Sequence, residues 1–221
     1  MIDVKGNGNI VSREIQVSSY IRLHFIVNGQ VELDLIQSNE EKIVIETDEN
    51  LQDYFEVTNA GRTLYVSSEA KFRTPVFTRC KITAHLRQLD TLYIRCKGNV
   101  VCTKGIEFPN PVEVKIMSEG DTSLNISATA LNLQNRSEGN VVITGKCQSV
   151  EIKNQSEGNF SAKELITESL KIKNMAEGNV ELFADREISI SHYGKGYVHY
   201  YGNAVLKDVK QYGDGQIKHI E

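Results

Sequence analysis

The chain has 221 residues, 40% of them hydrophobic and 7% aromatic, with a net charge of −4, which suffices to bury a sizeable core as one large all-β or repeat domain. Acidic and basic residues are interleaved with no basic run to neutralise a row of phosphates, so nucleic acid is excluded as the expected partner. No segment approaches the roughly 20 consecutive apolar residues of a membrane-spanning helix, and the opening "MIDVKGNGNI" lacks the basic and apolar regions of a signal peptide.

Taken in chain order, Gly8 of "GNGNIV" places Ile10 two residues on, which predicts an opening coil. Around Gly29, the alternating Ile21, Leu23 and Phe25 before the glycine and Val31 and Leu33 after it predict strand, turn, strand with inward-facing apolar residues. From 40 to 75 the pattern lapses. The two runs either side of "TNAGR" read as a β-hairpin, and the segment as an elaboration on one column. "RCKITAHLRQLDTLYIRC" then alternates back into register.

From Gly98 a unit recurs at Gly120, Gly139, Gly158, Gly178, Gly196 and Gly215, in steps of 22, 19, 19, 20, 18 and 19 residues. Six positions before each glycine stands Leu92, Val114, Leu133, Ile152, Ile172, Ile190 or Val209, and two after it Val100, Thr122, Val141, Phe160, Val180, Val198 or Ile217. Two short period-2 runs about a turn, repeated every nineteen or so residues, predict a parallel, right-handed β-helix with coils spaced by about 4.8 Å. The expected organisation is one β-helical domain over 1–221: first coils at 1–39, the hairpin elaboration at 40–75, and regular coils with a C-terminal cap at 76–221.

Stacked coils turn repeated positions into columns. Asn135, Asn154 and Asn174, four before Gly139, Gly158 and Gly178, are expected to form an inward asparagine ladder where earlier coils carry Ile94 and Ile116. In "NRSEGN", Ser137 and Glu138 are expected to face solvent while Gly139 permits the turn. Glu119, Glu138, Glu157 and Glu177 form an acidic column just before the glycines. It reads as a solvated edge beside Lys115, Lys153 and Lys173, or as a Ca²⁺ row of carboxylates; no other cofactor is expected. Tyr193, Tyr197, Tyr201 and Tyr212 suit either a sugar- or protein-contacting surface or a cluster covering the open end. Cys80, Cys96, Cys102 and Cys147 have no CxxC spacing and read as packing residues.

The succession "GNGNIV", "VSSYIRLHFIVNGQVELDLIQ", acidic "TDENL", hairpin "FEVTNAGRTLYVSS" and recurring G-[ND] coils resembles the putative auto-transporter adhesin, head GIN domain family along essentially the whole chain. The last two turns depart from it, with "HYGKGYVHY" and "QYGDGQIKH" in place of a simple G-N. The resemblance implies an exported β-helical protein of Bacteroidetes type, at the cell surface or in the periplasm, with its export signal upstream of Met1 and no catalytic residues to carry over.

Polysaccharide-cleaving enzymes also use β-helices, but they need clustered acids. Between Cys96 and Asn203 the only aspartates are Asp121 and Asp185, in different columns, and the glutamates are evenly spaced. The expected function is therefore a non-catalytic binding or adhesion module for glycan or protein, with a self-associating structural protein as the alternative and a polysaccharide-active enzyme the most remote reading.

Overall fold

The computed structural model describes residues 4–68, 75–102 and 104–221. Along the chain run β1 (Ile10–Gln16), β2 (Arg22–Ile26), β3 (Glu32–Gln37), β4 (Lys42–Asp48), a 3-10 helix (Glu49–Tyr54), β5 (Phe55–Ala60), β6 (Thr63–Ser68), β7 (Cys80–Leu86), β8 (Thr91–Cys96) and β9 (Val100–Val101). The second half contains β10 (Ile106–Glu107), β11 (Val112–Ser118), β12 (Thr122–Asn135), β13 (Val141–Asn154), β14 (Phe160–Asn174), β15 (Val180–Phe183), β16 (Glu187–His192), β17 (Val198–Tyr201), β18 (Val205–Gln211) and β19 (Ile217–His219). They build the all-β solenoid that the periodicity predicts, with parallel coils of about 20 residues in about 6 turns.

Two parallel sheets face each other across the core. One stacks β6, β2, β8, β11, the second halves of β12, β13 and β14, then β16 and β18. The other stacks β7, β3, β9, the first halves of β12 to β14, then β15, β17 and β19. Period-2 alternation in strands such as β7, β8 and β11 sends alternate side chains inward, and coil stacking aligns these residues vertically. Leu64, Leu23, Leu92, Val114, Leu133, Ile152, Ile172 and Ile190 form one such column, each at most 1% exposed. At about 1.5–3 kcal/mol per buried aliphatic side chain, columns like this hold the coils together.

The N-terminal half departs from the sequence reading in three ways. β1 does not open a parallel coil; it pairs antiparallel with β4, which pairs antiparallel with β7. Within 40–75, β5 and β6 do form the expected hairpin, but β6 is itself a column strand stacked on β2. The coil containing β6 and β7 thus lies outside the coil containing β2 and β3, although it comes later in the chain. Residues 69–74 of the expected elaboration fall outside the described residues. The corner at Gly29 is also two residues longer than later corners, because Leu33, not Val31, stacks on Val100 while Leu23 still stacks on Leu92.

The antiparallel additions close the N-terminal end. Ile43 and Ile45 of β4 are fully buried, and Tyr54, Phe55 and Phe77 pack ring against ring with centroids 5.5 to 6.1 Å apart. Asp48 ties this end together: fully buried, it accepts the Gly8 N–H on Oδ1 and the Thr78 N–H on Oδ2, each at 2.8 Å. Burial alone would raise its pKa, but hydrogen bonds from Thr78 and Gly8 outweigh that and hold it below the ordinary 3.8. A depressed carboxylate contributes stability that is present above pH 3.8 and lost as pH falls through the folded-state value. Asp48→Asn is expected to cost about 2–3 kcal/mol in urea unfolding at neutral pH and to flatten the acid limb of the stability profile.

Candidate functional site

The regular corners between the two sheets carry the repeated residues. Each corner glycine sits where an added Cβ would overlap backbone or side-chain atoms of the coil before: Gly139 against the Gly120 carbonyl oxygen, Gly158 against that of Gly139, Gly178 against that of Gly158, and Gly120 against Gly98 and the Asn99 side chain. None of these four has a positive φ. Glycine is therefore required here for coil-to-coil approach; a left-handed turn is not the reason.

Two positions before the glycine, Ser118, Ser137 and Ser156 are 1–3% exposed. Ser137 thus does not face solvent as the sequence suggested. The chain turns inward there because the Ser137 N–H bonds back to Asn135 Oδ1 at 3.1 Å, the local side-chain turn that asparagine favours.

The asparagine ladder forms as expected, with all three residues fully buried. Asn135 Nδ2 donates to Asn154 Oδ1 at 2.9 Å, and Asn154 Nδ2 to Asn174 Oδ1 at 3.0 Å. The ladder continues one coil further than the sequence reading took it, since Asn174 Nδ2 donates to His192 Nδ1 at 3.1 Å. His192 occupies the same column, four before Gly196, a position its chemistry disguised. With Nδ1 accepting from Asn174 and from the Gly194 N–H at 3.4 Å, the ring proton is assigned to Nε2. Nε2 is buried and closes no hydrogen bond.

A second ladder, absent from the sequence reading, runs up the exposed side of the same corner. Asn99 Oδ1 accepts the Asp121 N–H at 2.9 Å, Asp121 the Asn140 N–H at 2.9 Å, Asn140 the Asn159 N–H at 3.0 Å, and Asn159 the Asn179 N–H at 2.9 Å. Asn179 accepts the Tyr197 N–H at 3.2 Å, and there the ladder ends, because tyrosine offers no short acceptor. The recurring G-[ND] dipeptide was the available signal.

Glu138, Glu157 and Glu177 line up one per coil with Glu119, and lysines close both ends of the row. Lys97 Nζ lies 3.1 Å from Glu119 and Lys195 Nζ 2.6 Å from Glu177. Among the described residues no three His, Cys, Asp or Glu side chains converge as a metal ion requires. One carboxylate per coil spreads its oxygens along the column and does not wrap them round a point.

The four tyrosines do not form one patch. Tyr193 and Tyr212 stack at the corner with centroids 5.0 Å apart, 44% and 71% exposed, and Lys173 lies over the Tyr193 ring. Tyr197, immediately before β17, and Tyr201, at its end, lie round the corner, flanking His199. The Tyr197 and His199 rings stack at 3.9 Å and 18°. In register beneath on β15 are Glu181 and Phe183. Glu181 anchors this shelf, accepting from Tyr201 Oη at 3.1 Å and Ser161 Oγ at 3.4 Å and pairing with Lys163 at 3.1 Å. Burial raises the Tyr201 hydroxyl pKa and Glu181 raises it further, so the hydroxyl stays a donor at neutral pH.

An open trough of about 680 Å³ also runs up the column past Ala130, Ser149 and Ser169, walled by Glu113, Glu151 and Lys171. Cys80, Cys96 and Cys147 are buried, with burial raising each thiol's pKa, in Cys80 to about 12. That is packing, not nucleophilic, chemistry.

A two-sheet β-solenoid with a filled core and ladder-stitched corners defines a repeat scaffold that presents its outer faces. The chain belongs to the family described as "Putative auto-transporter adhesin, head GIN domain", whose model matches residues 23–204. Similar solved structures include a putative adhesin from Bacteroides fragilis NCTC 9343 (TM-score 0.90, 21% identity, 98% of this chain and 100% of that one). A putative adhesin from Parabacteroides distasonis ATCC 8503 matches at TM-score 0.75 and 18% identity over 99% of this chain and 100% of that one. A putative lipid binding protein from the same organism matches at TM-score 0.71 and 20% identity over the full length of both. These identities speak to fold alone. No curated protein matches the chain.

Asn154→Ala removes the centre of the buried ladder and orphans the Asn135 amide; a loss of about 3 kcal/mol is expected in chemical denaturation. For His192, burial lowers the pKa below 6.5. The neutral ring's contribution is therefore complete above pH 6.5 and declines as pH falls below it toward the folded-state value. His192→Asn extends the amide ladder and should keep the neutral-pH melting temperature while weakening its fall between about pH 7 and 5.

Proposed function

We propose that the protein is a non-catalytic, exported surface module that binds glycan or protein through the aromatic shelf of Tyr197, His199 and Tyr201 at β17. The observation that carries this reading is the flat Tyr197–His199 pair beside Tyr201, held over a carboxylate that is itself fixed by three neighbours. Stacked rings supply apolar contact area at low entropic cost, and Glu181 with Lys163 supplies directional polar partners, the combination a sugar ring requires. Membership of an adhesin family supports a binding role and an exported location.

The evenly spaced acids argue in the same direction. Glycosidic cleavage needs two carboxyl groups flanking one bond, whereas the Glu119 to Glu177 row presents one carboxylate per coil along a single edge. Among the described residues no helix is long and apolar enough to cross a membrane.

A glycan array followed by surface plasmon resonance on the strongest binder tests the shelf. Tyr197→Ala with Tyr201→Ala should lower affinity at least about tenfold, of the order expected for losing two aromatic contacts. Tyr193→Ala, round the corner, should leave it unchanged. Full binding by the double variant would rule the shelf out.

A further inference from the structure

The two ends of the column are built differently. At the N-terminal end, antiparallel strands and the Tyr54, Phe55 and Phe77 rings cover the core, leaving Ile43, Ile45, Leu64 and Val66 fully buried. At the C-terminal end, among the described residues, no antiparallel strand covers the last coil. There β18 pairs with β16 and β19 with β17, which leaves one edge of each outside these ladders. Leu206 and Val209 continue the aliphatic columns of Ile188 and Ile190, yet are 40% and 41% exposed, beside Val205 at 61%. Of the C-terminal tyrosines, Tyr193 and Tyr212 stack on each other and Tyr200 stacks on His219, away from Leu206 and Val209.

A flat strand edge with exposed apolar residues is a template for another strand. Among the described residues the core at the N-terminal end is covered, which disfavours head-to-tail stacking and favours a self-complementary contact between like ends. Antiparallel pairing of β18 with its own copy requires a two-fold axis at one residue, which then faces itself. An axis at Lys207, Asp208 or Lys210 opposes like charges. An axis at Val209 sets Val209 against Val209 and places Asp208 opposite Lys210 of the second copy, twice over. Asp208 and Lys210 stack on the outward Ser189 and Ser191, so both lie on the same face, as such a pair must.

We infer that the C-terminal end is a docking face for a second copy of this chain, with β18 pairing antiparallel to its copy about Val209 to give an end-to-end dimer. This is independent of the shelf at β17.

Sedimentation velocity and size-exclusion with light scattering on the full chain test it. The wild type is expected at twice the 24.8 kDa chain mass. Asp208→Lys, which faces lysine with lysine, should weaken the dimer at least about tenfold. Asp208→Lys with Lys210→Asp should restore it. Both positions are exposed, and unchanged circular dichroism would verify folding of the variants. Hydrogen exchange should show Val205–Gln211 protected in the wild type and open in Asp208→Lys. A wild-type monomer at about 100 μM, where even a micromolar dimer is populated, would overturn the inference, as would a dimer indifferent to Asp208→Lys or one the charge swap fails to restore.

Discussion

The contact between successive backbones at the glycine corner sets the terms for the rest of the molecule. At Gly120, Gly139, Gly158 and Gly178 there is no room for a Cβ, so each coil settles directly on the one before and the flanking strands stack in ladder register, with one-residue shifts between Val142 and Thr144 and between Ile188 and Ser189. Once the corners coincide, most positions in the unit lie above their own copies. A residue is then selected as much for how it meets itself one coil away as for whether it faces core or solvent. Aliphatic residues meet themselves well through dispersion and shared burial. Asparagine does so through an amide that donates upward and accepts from below.

That rule sorts the corner columns by chemistry. Inside, Asn135, Asn154 and Asn174 satisfy one another and also the tight turn toward Ser137, Ser156 and Ala176. Leaving any one of those buried amides unpaired would be costly. Outside, Asn99, Asp121, Asn140 and Asn159 lend their side-chain oxygens to the backbone of the following coil. Glutamates do not meet themselves well, and their row survives because it is exposed and has Lys97 and Lys195 at its ends. On both sides of the corner, side chains thus stitch one coil to the next.

A solenoid has two ends, and the chain treats them unequally. It spends β1, β4, β5 and the 3-10 helix on one, using a change from parallel to antiparallel pairing to stop the stack. At the other end the columns run to Leu206 and Val209, which are 40% and 41% exposed. The outer face of β17, carrying His199 and Tyr201 with Tyr197 just before it, lies one coil short of that end.

The parallel solenoid, its coil length and nearly every inward residue from Leu92 to Ile190 could be read from the sequence, because period-2 alternation and repeat spacing are local consequences of strand geometry that stacking only repeats. The asparagine ladder was legible for the same reason. The reading failed where the answer depends on which segments meet. Alternation in β1 and β4 is the same whether they pair parallel or antiparallel, and nothing local places the coil of β6 and β7 outside that of β2 and β3. His192 hid in the asparagine column because an imidazole nitrogen can take the place of an amide oxygen, and Ser137 is buried because the Asn135 side chain pulls the turn inward. By itself the sequence determined the unit, its period and its inward face. The order of the coils, the way each end is finished and the splitting of four tyrosines between two sides of one corner were decided by tertiary structure, since they arise from contacts between residues far apart in the chain.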